Sequence, residues 1–217
     1  GKVFDAVAKQ DPNCVMAYWG YAVNLPGNSL ASPPPAKDAQ AAWDALERAR
    51  AIGGKTQRER DWIEAISAYY RDYDKVSLDD RLLAYTKAME QMTQRYPDDF
   101  EAWAYYALTL QASAPKTDKA YANQLKSAAI LEKLFKQNPQ HPGVSHYLIH
   151  AYDYPPLADK GIDAAALSRF FSEWRPEVVS HHAAQIDVRK SVEDPVRDAR
   201  INILGGIAVL GSYAHGI

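Results

Sequence analysis

Hydrophobic and aromatic positions recur along the chain in blocks that return at a nearly constant step. The blocks occupy 17–22, 62–70, 102–108 and 144–150. Gly20, Trp62, Ala104 and His146 hold equivalent places in them, each 42 positions after the one before. A period of this length predicts stacked helix pairs, that is, a solenoid rather than a closed globule.

More polar segments alternate with these blocks, and their apolar residues also follow a helical spacing. In 36–52 the stripe consists of Ala42, Ala45, Leu46, Ala49 and Ile52, as in an amphipathic helix. The whole pattern predicts helices near 14–25, 36–52, 57–72, 78–95, 99–113, 118–137 and 142–152, with another from about 160. The first residues resemble the middle of a helix, so we expect the natural N-terminus to lie upstream.

Helix ends are predicted by local residue chemistry. Gly53-Gly54 ends one helix, and Thr56 with Glu59 has the form of a capping box for the next. Proline breaks at Pro97 and Pro139 are again 42 positions apart. Small residues are expected where two helices approach closely: Gly20, Ala65 or Ala68, and Ala107.

Charge and composition narrow the function classes. The net charge is −2 with 47% apolar residues, which supports a continuous core and gives no electrostatic footprint for nucleic acid. No window is long and apolar enough for a membrane span. The single cysteine, Cys14, has no internal partner, so it does not resolve the compartment.

The blocks resemble the tetratricopeptide repeat. Trp103, Ala107, Leu110 and Pro139 match its large, small, apolar and proline positions. The standard repeat has about 34 residues, so the longer step implies lengthened connections, for which 26–35 and 113–118 are candidates. The resemblance implies an all-α, tetratricopeptide-like helix-pair solenoid, an α-α superhelix.

A narrower resemblance is to bacterial tetratricopeptide-repeat proteins with lengthened repeats and no established activity. The matching motifs are 57–60, 96–99, 124–126, 141–143 and, most specific, 146–158. The resemblance covers 1–166 and implies a repeat scaffold; whether it lies in the cytoplasm or the periplasm stays open. The segment 167–217 lacks the period, so we divide the chain at that point. The segment is either a diverged terminal cap or the product of an altered reading frame.

Paired aromatic residues in the first helix of each repeat are candidate binding residues. Tyr18-Trp19, Tyr69-Tyr70 and Tyr105-Tyr106 are such pairs. One member of each can pack inward while the other faces a concave groove, or both can be core. An exposed tyrosine is a good anchor for a peptide. The groove residues predicted on this basis are Tyr18, Tyr70, Tyr106 and Asn24, joined by His146, His150 and Asp153; Arg71, Asn123 and Lys126 are further polar candidates.

Histidines near the end of the repeat region are candidate ligands. His146 and His150 are one helical turn apart, a spacing that suits a metal, and Asp153 could be a third ligand or orient an imidazole. The alternative is structural, with His150 packed against the next helix and His141 starting a helix beside Pro142. No glutamate follows His146, so the usual zinc-protease pattern is absent.

The predicted function is therefore a protein-interaction scaffold that binds a peptide or partner protein in its concave groove. Neither catalysis nor a cofactor or metal is expected, and the oligomeric state is not indicated. The prediction of a scaffold rests on the resemblance in fold, and a fold alone does not determine function. A different class of function, a metal- or small-ligand-binding protein capable of hydrolysis, would use His146, His150 and Asp153. A third alternative is that the chain is the end of a longer array and binds nothing alone.

Overall fold

A computed structural model describes residues 2–25, 33–154 and 156–157. These residues form helices joined by loops and turns, without strands. The helices are α1 (Lys2–Gln10), α2 (Val15–Asn24), α3 (Ala36–Ile52), α4 (Gln57–Tyr70), α5 (Leu78–Arg95), α6 (Phe100–Ala112), α7 (Ala122–Gln137) and α8 (Pro142–Tyr152). The all-α prediction is confirmed for this part of the chain. The helix predicted from about 160 and the segment 167–217 lie outside it.

Two compact units divide the chain, Gly1–Lys126 and Ser127–Ile217. The first contains α1 to α6 and the start of α7, and the second contains the rest of α7 and α8. The division predicted between 166 and 167 falls outside the described residues. No described helix has the length and apolar character needed to cross a membrane.

In the first unit each helix from α1 to α6 packs against the next one, and α2 also packs against α4. The core between them contains large side chains with no exposed surface, among them Tyr69, Tyr70, Leu46 and Met89. Each buried aromatic removes roughly 150–250 Å² from water. The contact between α2 and α4 brings together two helices whose aromatic blocks are one repeat step apart.

The helix ends follow the predicted local chemistry in α3 and α4. Gly53 ends α3 with a φ of 79°, a conformation that glycine adopts without strain. At the start of α4, Thr56 Oγ1 accepts the Glu59 N–H at 3.1 Å and Glu59 Oε2 accepts the Thr56 N–H at 2.8 Å. The capping box is therefore confirmed.

The start of α7 differs from its prediction. The helix begins at Ala122 rather than near 118. The Asp118 carboxylate accepts the backbone N–H groups of Ala120 and Ala122, both at 2.8 Å, and Tyr121 has a φ of 55°. An aspartate side chain that competes for backbone donors holds the chain in a turn, so the helix starts later.

Small residues lie where helices approach closely. A Cβ added to Gly20 of α2 would come within 2.3 Å of the Phe4 ring on α1. In α4 the buried small residue is Ala65, at 2% exposure, whereas Ala68 is half-buried. Ala107 in α6 has no exposed surface. Gly20 thus has the role predicted for small residues, and Ala65 and Ala107 are buried, as that role requires.

Candidate functional site

The three tyrosines predicted as groove residues lie in the core of the first unit. Tyr18, Tyr70 and Tyr106 are 8%, 0% and 3% exposed. The Tyr18 hydroxyl donates to the Pro12 carbonyl at 3.0 Å, and the Tyr70 hydroxyl donates to the Ala22 carbonyl at 2.7 Å. These side chains are therefore core residues whose hydroxyls bind the chain itself, and the expectation that they serve as exposed anchors needs this correction.

Three other aromatic side chains, one each on α2, α4 and α6, form a cluster of rings. Trp19 of α2 and Tyr105 of α6 are half-buried, and Trp62 of α4 is 3% exposed. The ring centroids are 5.5 Å apart for Trp19 and Trp62, 5.3 Å for Trp62 and Tyr105, and 5.9 Å for Trp19 and Tyr105. Edge-to-face pairs at such distances contribute about 0.5–1.5 kcal/mol beyond their burial. We call these three residues the aromatic cluster.

An aromatic residue that recurs at 43 positions, one more than the repeat step of 42, is the sequence signal for the aromatic cluster. Trp19, Trp62 and Tyr105 are separated by 43 positions each time. A repeated step places equivalent side chains on equivalent faces of successive helices. Comparison of the aromatic positions across the repeats therefore selects these three residues, whereas the presence of adjacent aromatic pairs alone does not distinguish the two members of a pair.

Polar and charged groups border the aromatic cluster. The Arg58 guanidinium lies 5.6 Å from the centre of the Trp62 ring, within the range of a cation–π contact. The indole N–H groups of Trp19 and Trp62 are buried and have no hydrogen-bond partner among the described residues. The cluster therefore combines ring faces, a cation and two unused donors.

Tyr106 belongs to a polar group on the same unit. Its hydroxyl donates to Glu90 Oε1 at 2.5 Å and accepts a hydrogen bond from Lys126 Nζ at 2.7 Å. Burial, followed by the hydrogen bond to Glu90, raises the pKa of Tyr106. The hydrogen bond from Tyr106 lowers the pKa of Glu90 in spite of partial burial. The phenol thus stays protonated at neutral pH and acts as a bridge, not as a base.

Two predicted asparagines bind nearby backbone carbonyls. Asn24 is exposed, and its Nδ2 donates to the Gly20 carbonyl one turn earlier, at 2.8 Å. Asn123 Nδ2 donates to the Leu110 carbonyl at 3.2 Å. Arg71 is exposed, and its Nη2 lies 3.9 Å from Glu64 Oε2. Of these side chains, Asn24 and Arg71 are open to a partner.

The histidines lie in the second unit, on α8. His141 is the N-cap, and its Nδ1 accepts the Val144 N–H at 3.2 Å, so the prediction that it starts this helix is confirmed. His146 and His150 are both exposed, with their Nε2 atoms 3.1 Å apart. The structural alternative placed His150 against the next helix with a hydrogen bond to a neighbour; His150 contacts His146 in this way, and the next helix predicted lies outside the described residues.

Asp153 follows the last residue of α8 and is exposed. Within the described part of the chain, no group of three or more His, Cys, Asp or Glu side chains is placed to hold a metal ion. The three-ligand arrangement with Asp153 is therefore not formed there. Desolvation, with a further contribution from His150, lowers the pKa of His146, which favours its neutral form.

Comparisons with known proteins do not assign a family. No family model and no solved structure matches the chain. A UDP-glucose 4-epimerase of Mycolicibacterium smegmatis is 46% identical over 43 residues, 20% of this chain and 14% of that protein. A putative UDP-glucose 4-epimerase of Methanocaldococcus jannaschii is 65% identical over 34 residues, 16% of this chain and 11% of that protein. The matched segments thus span less than a sixth of the length of these relatives.

Proposed function

We propose that the first unit is a tetratricopeptide-like array of helix pairs, and that it binds a peptide or a partner protein without catalysis. The observation that carries this proposal is the aromatic cluster. It joins α2, α4 and α6, the helices of three recurring aromatic blocks, through residues 43 positions apart. The packing of α2 on α4 supports the same arrangement of first helices.

The chemistry of the cluster suits a protein ligand. Half-buried Trp and Tyr side chains are the residues most often found at the energetic centre of protein interfaces. Trp19 and Tyr105 have this intermediate exposure. Arg58, which is paired with Asp99, lies over the Trp62 ring, and Asn24 and Arg71 supply polar side chains open to solvent. An extended or helical peptide with an apolar anchor and an acidic residue would complement this set.

Catalysis is not part of the proposal. Tyr106, which has both an acidic and a basic neighbour, has a raised pKa, which is opposite to what an activated nucleophile requires. The hydrolytic alternative at His146, His150 and Asp153 has two imidazoles together but no third ligand within the described residues. The epimerase matches cover too little of either enzyme to bring its activity to this chain.

The test is a selection of displayed peptides on the full chain, followed by affinity measurements on variants. We expect Trp19→Ala and Tyr105→Ala to weaken binding of a selected peptide about tenfold or more, equal to about 1.4 kcal/mol. Trp43→Ala is the matched control, since Trp43 is also half-buried but lies on the second helix α3.

Circular dichroism establishes that each variant remains folded. If no peptide is retained, or if Trp43→Ala weakens binding as much as Trp19→Ala does, the proposal fails. Fluorescence anisotropy with a labelled peptide gives the affinities, and a second titration at raised salt measures the electrostatic contribution to binding.

A further inference from the structure

The exposed face of α8 carries two imidazoles in close contact. His146 and His150 are one turn apart, with ring centroids 4.6 Å apart and ring planes at 78°. Their Nε2 atoms, the ring nitrogens farthest from the backbone, lie 3.1 Å from each other. Both side chains are exposed, so a solute in water reaches both nitrogens.

This separation matches the spacing of two imidazoles on one metal ion. With bonds of about 2.0–2.1 Å, two nitrogen ligands lie about 2.9 Å apart at a right angle and about 3.4 Å apart at a tetrahedral angle. The observed 3.1 Å falls between these values. The two nitrogens are therefore already as far apart as two ligands of one ion, and rotation of the rings would direct both lone pairs at it.

We propose that His146 and His150 form a bidentate, solvent-facing site for a divalent late transition metal, Cu²⁺, Ni²⁺ or Zn²⁺. Water would fill the remaining coordination positions, because the described residues supply no third His, Cys, Asp or Glu ligand. Imidazole nitrogen is a preferred ligand of these ions, and their affinities follow the order that places Cu²⁺ first. The site is independent of the proposed binding of a peptide at the aromatic cluster.

The helix holds the two ligands in place. Val144, Ala151 and Tyr152 are the buried residues of α8, and the Tyr152 hydroxyl donates to Glu132 of α7 at 2.5 Å. His141 caps the first turn. An anchored helix keeps His146 and His150 on one face, so little backbone entropy remains to be lost when a metal binds.

The protonation state also suits a metal. A histidine binds a metal through a neutral ring, and desolvation lowers the pKa of His146. In the metal-free chain one Nε2 donates a hydrogen bond to the other. When the metal binds, the proton on that Nε2 moves to Nδ1 of the same ring, and both Nε2 lone pairs face the ion. No proton is released overall.

Isothermal titration of the full chain with CuCl₂, NiCl₂ and ZnCl₂ tests the site. We expect Cu²⁺ to bind most tightly, with His146→Ala and His150→Ala each weakening binding about 100-fold, the lower end of the gain from linking two ligands. The control is the double variant His181→Ala/His182→Ala, which removes the adjacent histidines outside the described residues. It should retain the wild-type affinity.

Electron paramagnetic resonance of the Cu²⁺ form gives a second measurement. Two coordinated nitrogens in the wild type and one in His150→Ala support the proposal. Unchanged affinity in His146→Ala, or loss of binding in the control alone, overturns it. Metal should also raise the melting temperature of the wild type but not of His146→Ala, and circular dichroism establishes that α8 is still helical in that variant.

Discussion

Arg58, in the first turn of α4, binds Asp99, the N-cap residue of α6, through two hydrogen bonds. Arg58 Nε lies 2.6 Å from Asp99 Oδ2, and Nη2 lies 3.0 Å from Oδ1. The same carboxylate accepts the Ala102 N–H at 3.3 Å. The Asp99 side chain thus caps α6 and joins it to α4. The two sequence motifs 57–60 and 96–99 meet through this pair.

Replacing Asp99 should destabilise the first unit. Asp99→Ala removes the cap of α6 and the partner of Arg58 together, with an expected loss of about 1–3 kcal/mol in the free energy of unfolding. Asp98→Ala is the control, because Asp98 is adjacent and exposed. Urea denaturation measures the unfolding free energy of both variants. Equal effects of the two substitutions would contradict the assigned role.

Tyr69 and Tyr70 should respond oppositely to loss of their hydroxyls. Both are fully buried, but the Tyr70 hydroxyl binds the Ala22 carbonyl, whereas the Tyr69 hydroxyl has no hydrogen-bond partner among the described residues. Tyr70→Phe should cost about 1–2 kcal/mol, and Tyr69→Phe should be neutral or stabilising. Thermal unfolding measures the stability of the two variants. If Tyr69→Phe loses more stability than Tyr70→Phe, the hydrogen bonding assigned to the two hydroxyls is wrong.

Gly20→Ala should disturb the contact between α1 and α2. The new methyl group would lie within 2.3 Å of the Phe4 ring, and overpacking of this kind costs about 1–3 kcal/mol. Adding Phe4→Ala to Gly20→Ala should recover part of the loss by making room. Hydrogen exchange of the α1 amides measures the local effect. An unchanged exchange rate in Gly20→Ala would mean that α1 does not depend on this contact.

Acid should weaken the first unit through Asp61. Burial acts to raise the pKa of Asp61, but hydrogen bonds from Arg95, Tyr96 and Gln57 outweigh it, so the pKa lies below its ordinary value of 3.8. A carboxylate whose pKa is lowered by folding stabilises the protein above the pKa of the unfolded chain, and that stability is lost as the pH falls through the folded value.

Asp61→Asn should therefore reduce the drop in unfolding free energy between pH 5 and about pH 2, the range in which such carboxylates titrate. Asp74→Asn is the control, since Asp74 is exposed. Urea denaturation at several pH values gives the slopes. If the unfolding free energy falls with pH equally steeply in the wild type and in Asp61→Asn, then Asp61 is not the cause of the acid sensitivity.

His146 should titrate below the ordinary histidine value of 6.5, because desolvation and then His150 lower its pKa. Replacing His150 with Gln removes the second contribution, so the pKa of His146 should rise. Nuclear magnetic resonance of the imidazole Cε1–H protons as a function of pH, in metal-free buffer, measures the pKa of His146 in the wild type and in His150→Gln. A His146 pKa that does not change in His150→Gln would exclude an electrostatic interaction between the rings.

Local chemistry explains which features are predictable from the sequence. The bounds of α3 and α5 agree with the apolar spacing and the flanking breaks. The capping box at the start of α4 is recognisable from the four residues 56–59 alone. The start of α7 is predicted too early because Asp118 binds the backbone of a turn, a competition that apolar periodicity does not reveal.

The sequence by itself determined the all-α class, most helix limits and the repeat step, since each depends on residues within a few turns of one another. Tertiary structure decided which aromatics of the pairs are buried: adjacent helical residues point about 100° apart, and the positions of the neighbouring helices bury Tyr18 and Tyr106 but not their partners, whereas Tyr69 and Tyr70 are both buried. Packing likewise brought Arg58 to Asp99 across 41 positions. On α8 it left His146 and His150 together on an exposed surface, because the buried face was already occupied by Val144, Ala151 and Tyr152.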